Sequence, residues 1–224
     1  MLSRSTNSED FQNLRNSFAV MVKQFEDKSI VPEHAHERHQ LLYATKGLMQ
    51  LHIENKIWLV PSDRAIFIPA GMLHSIRMLS PVVMRTLYID INSTPDSTRT
   101  LKAISVTPLM CELITALGKE KVNYQHNNRA EQIAKLIELE LNLAKNEPLI
   151  IPLPQDSRLQ HVCASLMKHP ADNKTLYEWG EICGASERTL SRLFNNELGM
   201  GFRQWRQLVR FHYAFELLAK NKSI

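Results

Sequence analysis

Between residues 18 and 90 the apolar positions come in short alternating or β-rich runs, each broken by turn-forming residues. That is the pattern of strands with a buried face. It predicts strands over residues 41–45, 48–53, 57–60, 65–68, 74–78 and 83–89. Turn signals separate them at Lys46-Gly47, Glu54-Asn55-Lys56, Pro61-Ser62-Asp63 and Pro69-Ala70-Gly71. Many short strands at regular spacing imply a small barrel or jelly roll. The period then changes. Residues 108–117 and 129–144 read as helices, and in the second Ile133, Leu136, Ile137, Glu140, Leu141 and Ala144 share one broad face. Leu139 and Leu143 add apolar surface on another flank. A helix apolar on more than one side packs against two things, here its own barrel and a second copy of the chain.

The last quarter repeats the helical period with clear punctuation. Residues 176–183 form a short helix capped by Thr175, and Gly184 supplies a left-handed turn. Ser186 caps a second helix in which Leu190, Leu193 and Phe194 face inward. Its outer face carries Glu187, Arg188, Ser191, Arg192 and Asn195, polar side chains suited to lie against a groove. Gly199 ends it. A longer helix follows, with Trp205 as a core anchor between helices and a continuing stripe at Ala214, Leu217, Leu218 and Ala219. Leu193, Phe194 and Leu198 are assigned to the core. Three prolines within EPLIIPLPQD mark a linker that neither a helix nor a central strand tolerates. The fold class expected is α+β. A barrel spans residues 1–100, a helical region 101–147, a linker 148–156, and a helix-turn-helix domain 157–224.

Composition narrows the partners. Of the net charge of +4, residues 155–224 carry +3, with 10 basic against 7 acidic side chains. A small local excess of this sign fits a phosphate-bearing partner better than a membrane. Cys111, Cys163 and Cys183 are scattered, with no C-x-x-C pair, and read as free thiols in a reducing compartment. The sequence shows neither a signal-peptide pattern nor a membrane-length apolar run, so the expected localisation is cytoplasmic.

The C-terminal motifs G-x-S-x-R-T-L-S-R-L-F, E-L-G-M, F-x-x-W-R and A-x-x-L-L-A closely resemble the DNA-binding domain of the AraC/XylS family of bacterial regulators. The resemblance covers about the last fifty residues. It implies that Arg188, Ser191 and Arg192 reach base edges, where Arg can bond guanine twice. It assigns Asn195, Arg206 and Arg210 to phosphates, which fix register. In that family a second helix-turn-helix follows the linker helix; this sequence stops at Ile224, and weak or undetectable specific DNA binding by the 224-residue form is the expectation.

Within the barrel segment, His34-Ala35-His36 with Gln40 and Gly47, and Pro69-Ala70-Gly71 with His74, resemble the two cupin motifs H-x-H-x(3)-E-x(6)-G and P-x-G-x(2)-H. Strand alternation puts His34, His36 and Gln40 on one interior face, and His74 joins them from another strand. His39 alternates to the opposite face and is expected to be exposed. Gln40 stands where metal-binding cupins carry Glu. The expectations are an effector pocket at His34, His36, Gln40 and His74, and a divalent transition metal (zinc, iron or nickel) at His34, His36 and His74. The chain therefore reads as a one-component transcriptional regulator. It would be a homodimer binding promoter DNA and a small-molecule effector, controlling a neighbouring transport or detoxification gene, and not an enzyme. The alternatives are a metal-dependent cupin oxygenase or isomerase, and a truncated modulator that dimerises with full-length relatives.

Overall fold

The computed structural model of the chain describes residues 5–54, 56–93, 100–124, 128–146 and 150–219. Two compact units emerge, Met1–Leu51 with Leu59–Leu149, and His52–Trp58 with Ile150–Ile224. The architecture is α+β. In chain order the strands are β1 (Phe18–Phe25), β2 (Ile30–His34), β3 (His39–Lys46), β4 (Met49–Ile53), β5 (Lys56–Val60), β6 (Arg64–Ile68), β7 (His74–Met78), β8 (Val82–Ile89), β9 (Lys102–Ser105) and β10 (Ile150–Pro152). They form two five-stranded sheets, ordered β1-β8-β3-β6-β9 and β10-β5-β4-β7-β2.

The apolar runs place β3 to β8 within one or two residues of where they lie. Helices α1 (Pro108–Leu117) and α2 (Arg129–Leu143) cover the first sheet, joining Met110, Ile114, Ile133 and Ile137 to Phe18, Leu41, Tyr43 and Phe67 in one core. Six consecutive residues of β3 are buried, because neither of its faces meets water. That corrects the expectation for His39: it is 4% exposed, and its Nδ1 accepts from the Ala70 N–H at 3.0 Å. Simple alternation fails there, since it assumes one wet face. Leu136 also departs from the expected inner face. It is exposed with Leu139 and Leu143, while Ala130, Ile133, Ala134 and Ile137 make the buried stripe. The turn at Gly47 requires glycine: its φ is +92°, and a Cβ would lie 2.2 Å from the Pro81 carbonyl oxygen.

Four strands were not among those predicted: β1 and β2, which precede the first predicted strand, and β9 and β10, which lie where a helical region and a linker were expected. β9 opens the segment expected to be helical, pairing with β6 from Phe67↔Lys102 to Arg64↔Ser105. β10 lies within the expected linker and pairs with β5, from Ile150↔Trp58 to Pro152↔Lys56. Its place at a sheet edge is what lets Pro152 take part. Asn55, Pro148 and residues 220–224 lie outside the described residues, as does the side chain of Ala219.

The second unit holds α3 (Ser157–Lys168), α4 (Leu176–Cys183), α5 (Glu187–Leu198) and α6 (Phe202–Ala219). Leu159, Val162, Leu166, Trp179, Leu190, Phe194, Leu198 and Trp205 form its core, with Leu193 half-buried against it. The Trp205 indole N–H donates to the Pro152 carbonyl at 2.9 Å, so the ring is buried with its polar atom satisfied. Among the described residues no helix is long and apolar enough to cross a membrane.

Candidate functional site

The β2–β7 pairing sets His34 directly opposite His74, after a register shift between Val31 and His34. His36 lies in the connection to β3, and Gln40 is the second residue of β3. The Gly71 N–H donates to the His36 carbonyl at 2.9 Å, tying the Pro69–Gly71 turn to that connection. The three imidazoles meet: ring centroids are 4.7 Å apart for His34 and His36, 4.4 Å for His34 and His74, and 5.5 Å for His36 and His74. One ring nitrogen from each lies within 4.8 Å of the others.

Their protonation follows from their partners. His34 Nδ1 lies 2.7 Å from the Pro32 carbonyl and His74 Nδ1 lies 2.9 Å from the Met72 carbonyl. A carbonyl only accepts, so each Nδ1 carries hydrogen, and Nε2 is the atom left to act as a ligand. Burial, and then the neighbouring histidines His34 and His74, push His36 down to about 4. Burial chiefly, with a smaller contribution from His34, pushes His74 to about 4 against the bond to Met72. Both are neutral near pH 7. Neither His36 ring nitrogen, nor His74 Nε2, nor Gln40 Oε1 has a hydrogen-bond partner among the described residues. A buried polar atom left so is costly unless a ligand completes it. The chemistry fits a transition metal: imidazole nitrogens are its ligands, and backbone carbonyls orient two of the three rings. Gln40 adds no charge.

A cavity of about 310 Å³ opens beside this cluster, lined by His34, His36, Gln40, Tyr88, Lys23 and Met84. His74 is more deeply set, at 1% exposure. Thr6, Asn7 and Ser8 close one side. A larger groove of about 840 Å³ lies along Asn16, Tyr124 and α2. The smaller cavity is the candidate site because His36 and Gln40, whose side-chain atoms are unpartnered among the described residues, line it. Sequence reading missed Arg38, 3% exposed, which ties down the N-terminal arm through the Phe11, Asn16 and Ser17 carbonyls and sits 3.7 Å from Asp90. Burial holds its pKa below the usual arginine value. An interior cation in an otherwise polar x-H-x-x-x-Q run gave no periodic signal.

In the second unit, α4 opens on a capping box between Thr175 and Glu178 and ends on Gly184 at φ +64°. Ser186 caps α5. The turn between them is tight enough that a Cβ on Gly180 would lie 2.4 Å from the Ala185 carbonyl oxygen. Arg188, Arg192 and Asn195 are exposed on the outer face of α5, with Ser191 half-buried; the Asn195 amide donates to the Ser191 carbonyl at 2.9 Å. Arg206 and Arg210, expected at phosphates, are engaged within the unit. Arg206 Nη1 donates to the Lys174 carbonyl at 3.0 Å. Arg210 donates to the Pro170 carbonyl at 2.9 Å, the Asp172 carbonyl at 3.1 Å and Asn173 Oδ1 at 2.7 Å. Arg203, which the motif left unassigned, is exposed.

Residues 17–144 match the family described as the AraC-like ligand binding domain, and residues 179–224 match a helix-turn-helix domain. The HTH-type transcriptional regulator NimR of Escherichia coli is 27% identical over 198 residues, spanning 88% of this chain and 72% of the relative. The HTH-type transcriptional regulator RipA of Corynebacterium glutamicum is 41% identical over 73 residues, 33% of this chain and 22% of that one. A solved structure of ToxT from Vibrio cholerae aligns with 93% of this chain and 86% of its own, at 12% identity and a TM-score of 0.42.

Proposed function

The chain belongs to the AraC-type transcriptional regulators, which join a ligand-binding barrel to a helix-turn-helix, and from that premise we propose how its residues divide the work. The effector enters the cavity beside His34, His36, Gln40 and His74. Arg188, Ser191 and Arg192 read base edges and Asn195 meets phosphate. The reading rests on one observation above the rest: buried, neutral imidazoles with unpartnered nitrogens converge on a cavity in a chain that also carries a capped helix-turn-helix. Effector binding shifts the population of arrangements in which the head is presented to DNA. The regulated gene is a neighbouring transport or detoxification gene.

His34, His36 and His74 would hold a zinc, iron or nickel ion, which would supply a Lewis-acidic centre in the cavity. Leu136, Leu139 and Leu143, exposed along α2, support a homodimer through that helix. An enzyme reading draws support from the histidine cluster alone, and the regulator relatives weigh against it. Metal analysis after loading with zinc, iron(II) or nickel tests the site. About one equivalent in the wild type and none in His36→Leu is expected. Equal uptake by both removes the metal, and substrate turnover by the loaded protein favours the enzyme. Light scattering tests the dimer, and a monomer discards it.

A further inference from the structure

Three arginines share one flank of α6. Taking 100° per residue, Arg203, Arg206 and Arg210 fall within about 60° of one another, beside the buried stripe of Phe202, Trp205, Val209 and His212. Their surroundings differ. Arg206 and Arg210 are half-buried, and both donate to the segment between α3 and α4, at Pro170, Asp172, Asn173 and Lys174. Arg206 also lies over the Phe202 ring, 4.8 Å from its centroid. Arg203 is exposed. The segment they grip leads directly into the Thr175 cap of α4. Holding it therefore fixes where the first helix of the reading pair begins relative to α6.

Grouping three guanidiniums is costly unless negative charge or carbonyl dipoles face them. Burial, then Arg210 and Arg203, hold the Arg206 pKa below its usual value, and Asp172 works against them. Backbone carbonyls and Asn173 satisfy two members of the group. The third faces solvent within their positive field, where an anion gains most.

We propose that Arg203 is the arginine of α6 that meets a DNA phosphate, while Arg206 and Arg210 are positioning residues that lock the α3–α4 segment. This deepens the DNA-binding reading and rests on it. An Arg at a phosphate releases counterions, so its loss flattens the dependence of log K on log salt. A positioning residue leaves that slope alone and changes how well a correctly folded head fits its own site.

The test is fluorescence anisotropy of the chain on a labelled duplex from upstream of its own gene and on an unrelated duplex of equal length, across a salt series. Arg203→Ala is expected to weaken both complexes and to flatten the slope by about 0.9. Arg210→Lys keeps the charge but loses the fork, so the slope stays. Its upstream complex weakens about tenfold, the equivalent of one charge-assisted hydrogen bond, and its unrelated complex stays within about twofold. Amide exchange at residues 171–174 rises in the same variant. An unchanged slope in Arg203→Ala overturns the assignment, as does a flattened one in Arg210→Ala beside an unchanged one in Arg210→Lys. Lower thermal stability in Arg210→Lys with both complexes unaltered reduces it to a purely structural residue. If the wild type prefers neither duplex at any salt, the DNA reading itself falls before any variant is compared.

Discussion

Around α4 and α5 the backbone ends are closed by side chains and glycines: Thr175 with Glu178, Gly184, Ser186 and Gly199. Around His36 the opposite holds, and four buried side-chain atoms of His36, His74 and Gln40 have no hydrogen-bond partner among the described residues. The first arrangement holds a shape that exists before any partner arrives, as a helix that must enter a groove requires. The second leaves hydrogen-bonding capacity for a ligand to complete, at a cost to the free protein. Preorganisation belongs to the reading helices, and unfinished chemistry belongs to the barrel.

The largest expected effect tests the closed side. Trp205→Ala removes a fully buried ring and its bond to Pro152, and should cost about 3–5 kcal/mol in urea denaturation followed by helical circular dichroism. A loss below about 1 kcal/mol would mean that the helical core does not depend on this anchor.

Like the Trp179 indole nitrogen, His212 is an exception within the helical unit, since neither of its ring nitrogens has a partner among the described residues. Burial pushes it down to about 4. The unfolded chain therefore takes up the proton first, and its stability contribution is whole above about pH 6.5 and drains away as pH falls toward 4. The loss across that window is on the order of 2–3 kcal/mol. His212→Leu should flatten the acid limb of a stability-against-pH curve, and an unaltered limb would show that His212 is solvated.

The barrel should respond the other way. His36→Leu removes two unpartnered buried nitrogens and leaves an apolar group of similar size, so thermal stability should change by less than about 1.5 kcal/mol, in either direction. A loss beyond about 3 kcal/mol would make His36 a structural hub and erase the contrast between the two regions. The smallest effect belongs to a single cap: Thr175→Ala should cost about 1 kcal/mol, with Thr175→Ser restoring most of it.

Much of this was legible in the residues. Strands β3 to β8 follow from apolar runs between strong turn signals, and α4 and α5 follow from caps that are themselves sequence features. His34, His36 and His74 could be grouped because motif spacing stands in for the strand pairing that brings them together. What stayed hidden depends on a third dimension that periodicity lacks. His39 is buried because helices cover the far face of its sheet. Arg206 and Arg210 look like surface arginines until residues 170–174 fold back on them, and β10 is a strand only because β5 offers an edge. Arg38 shows the same limit, since nothing local tells a buried arginine from an exposed one.

The most direct test of the regulator assignment is competition. A labelled duplex from upstream of the gene, bound by the chain, is challenged with unlabelled upstream or unrelated duplex while anisotropy is followed. The upstream competitor should displace it at concentrations at least about tenfold lower than the unrelated one, and Arg188→Ala should bring the two curves together. Coincident curves for the wild type at every salt concentration would contradict sequence-specific recognition by α5.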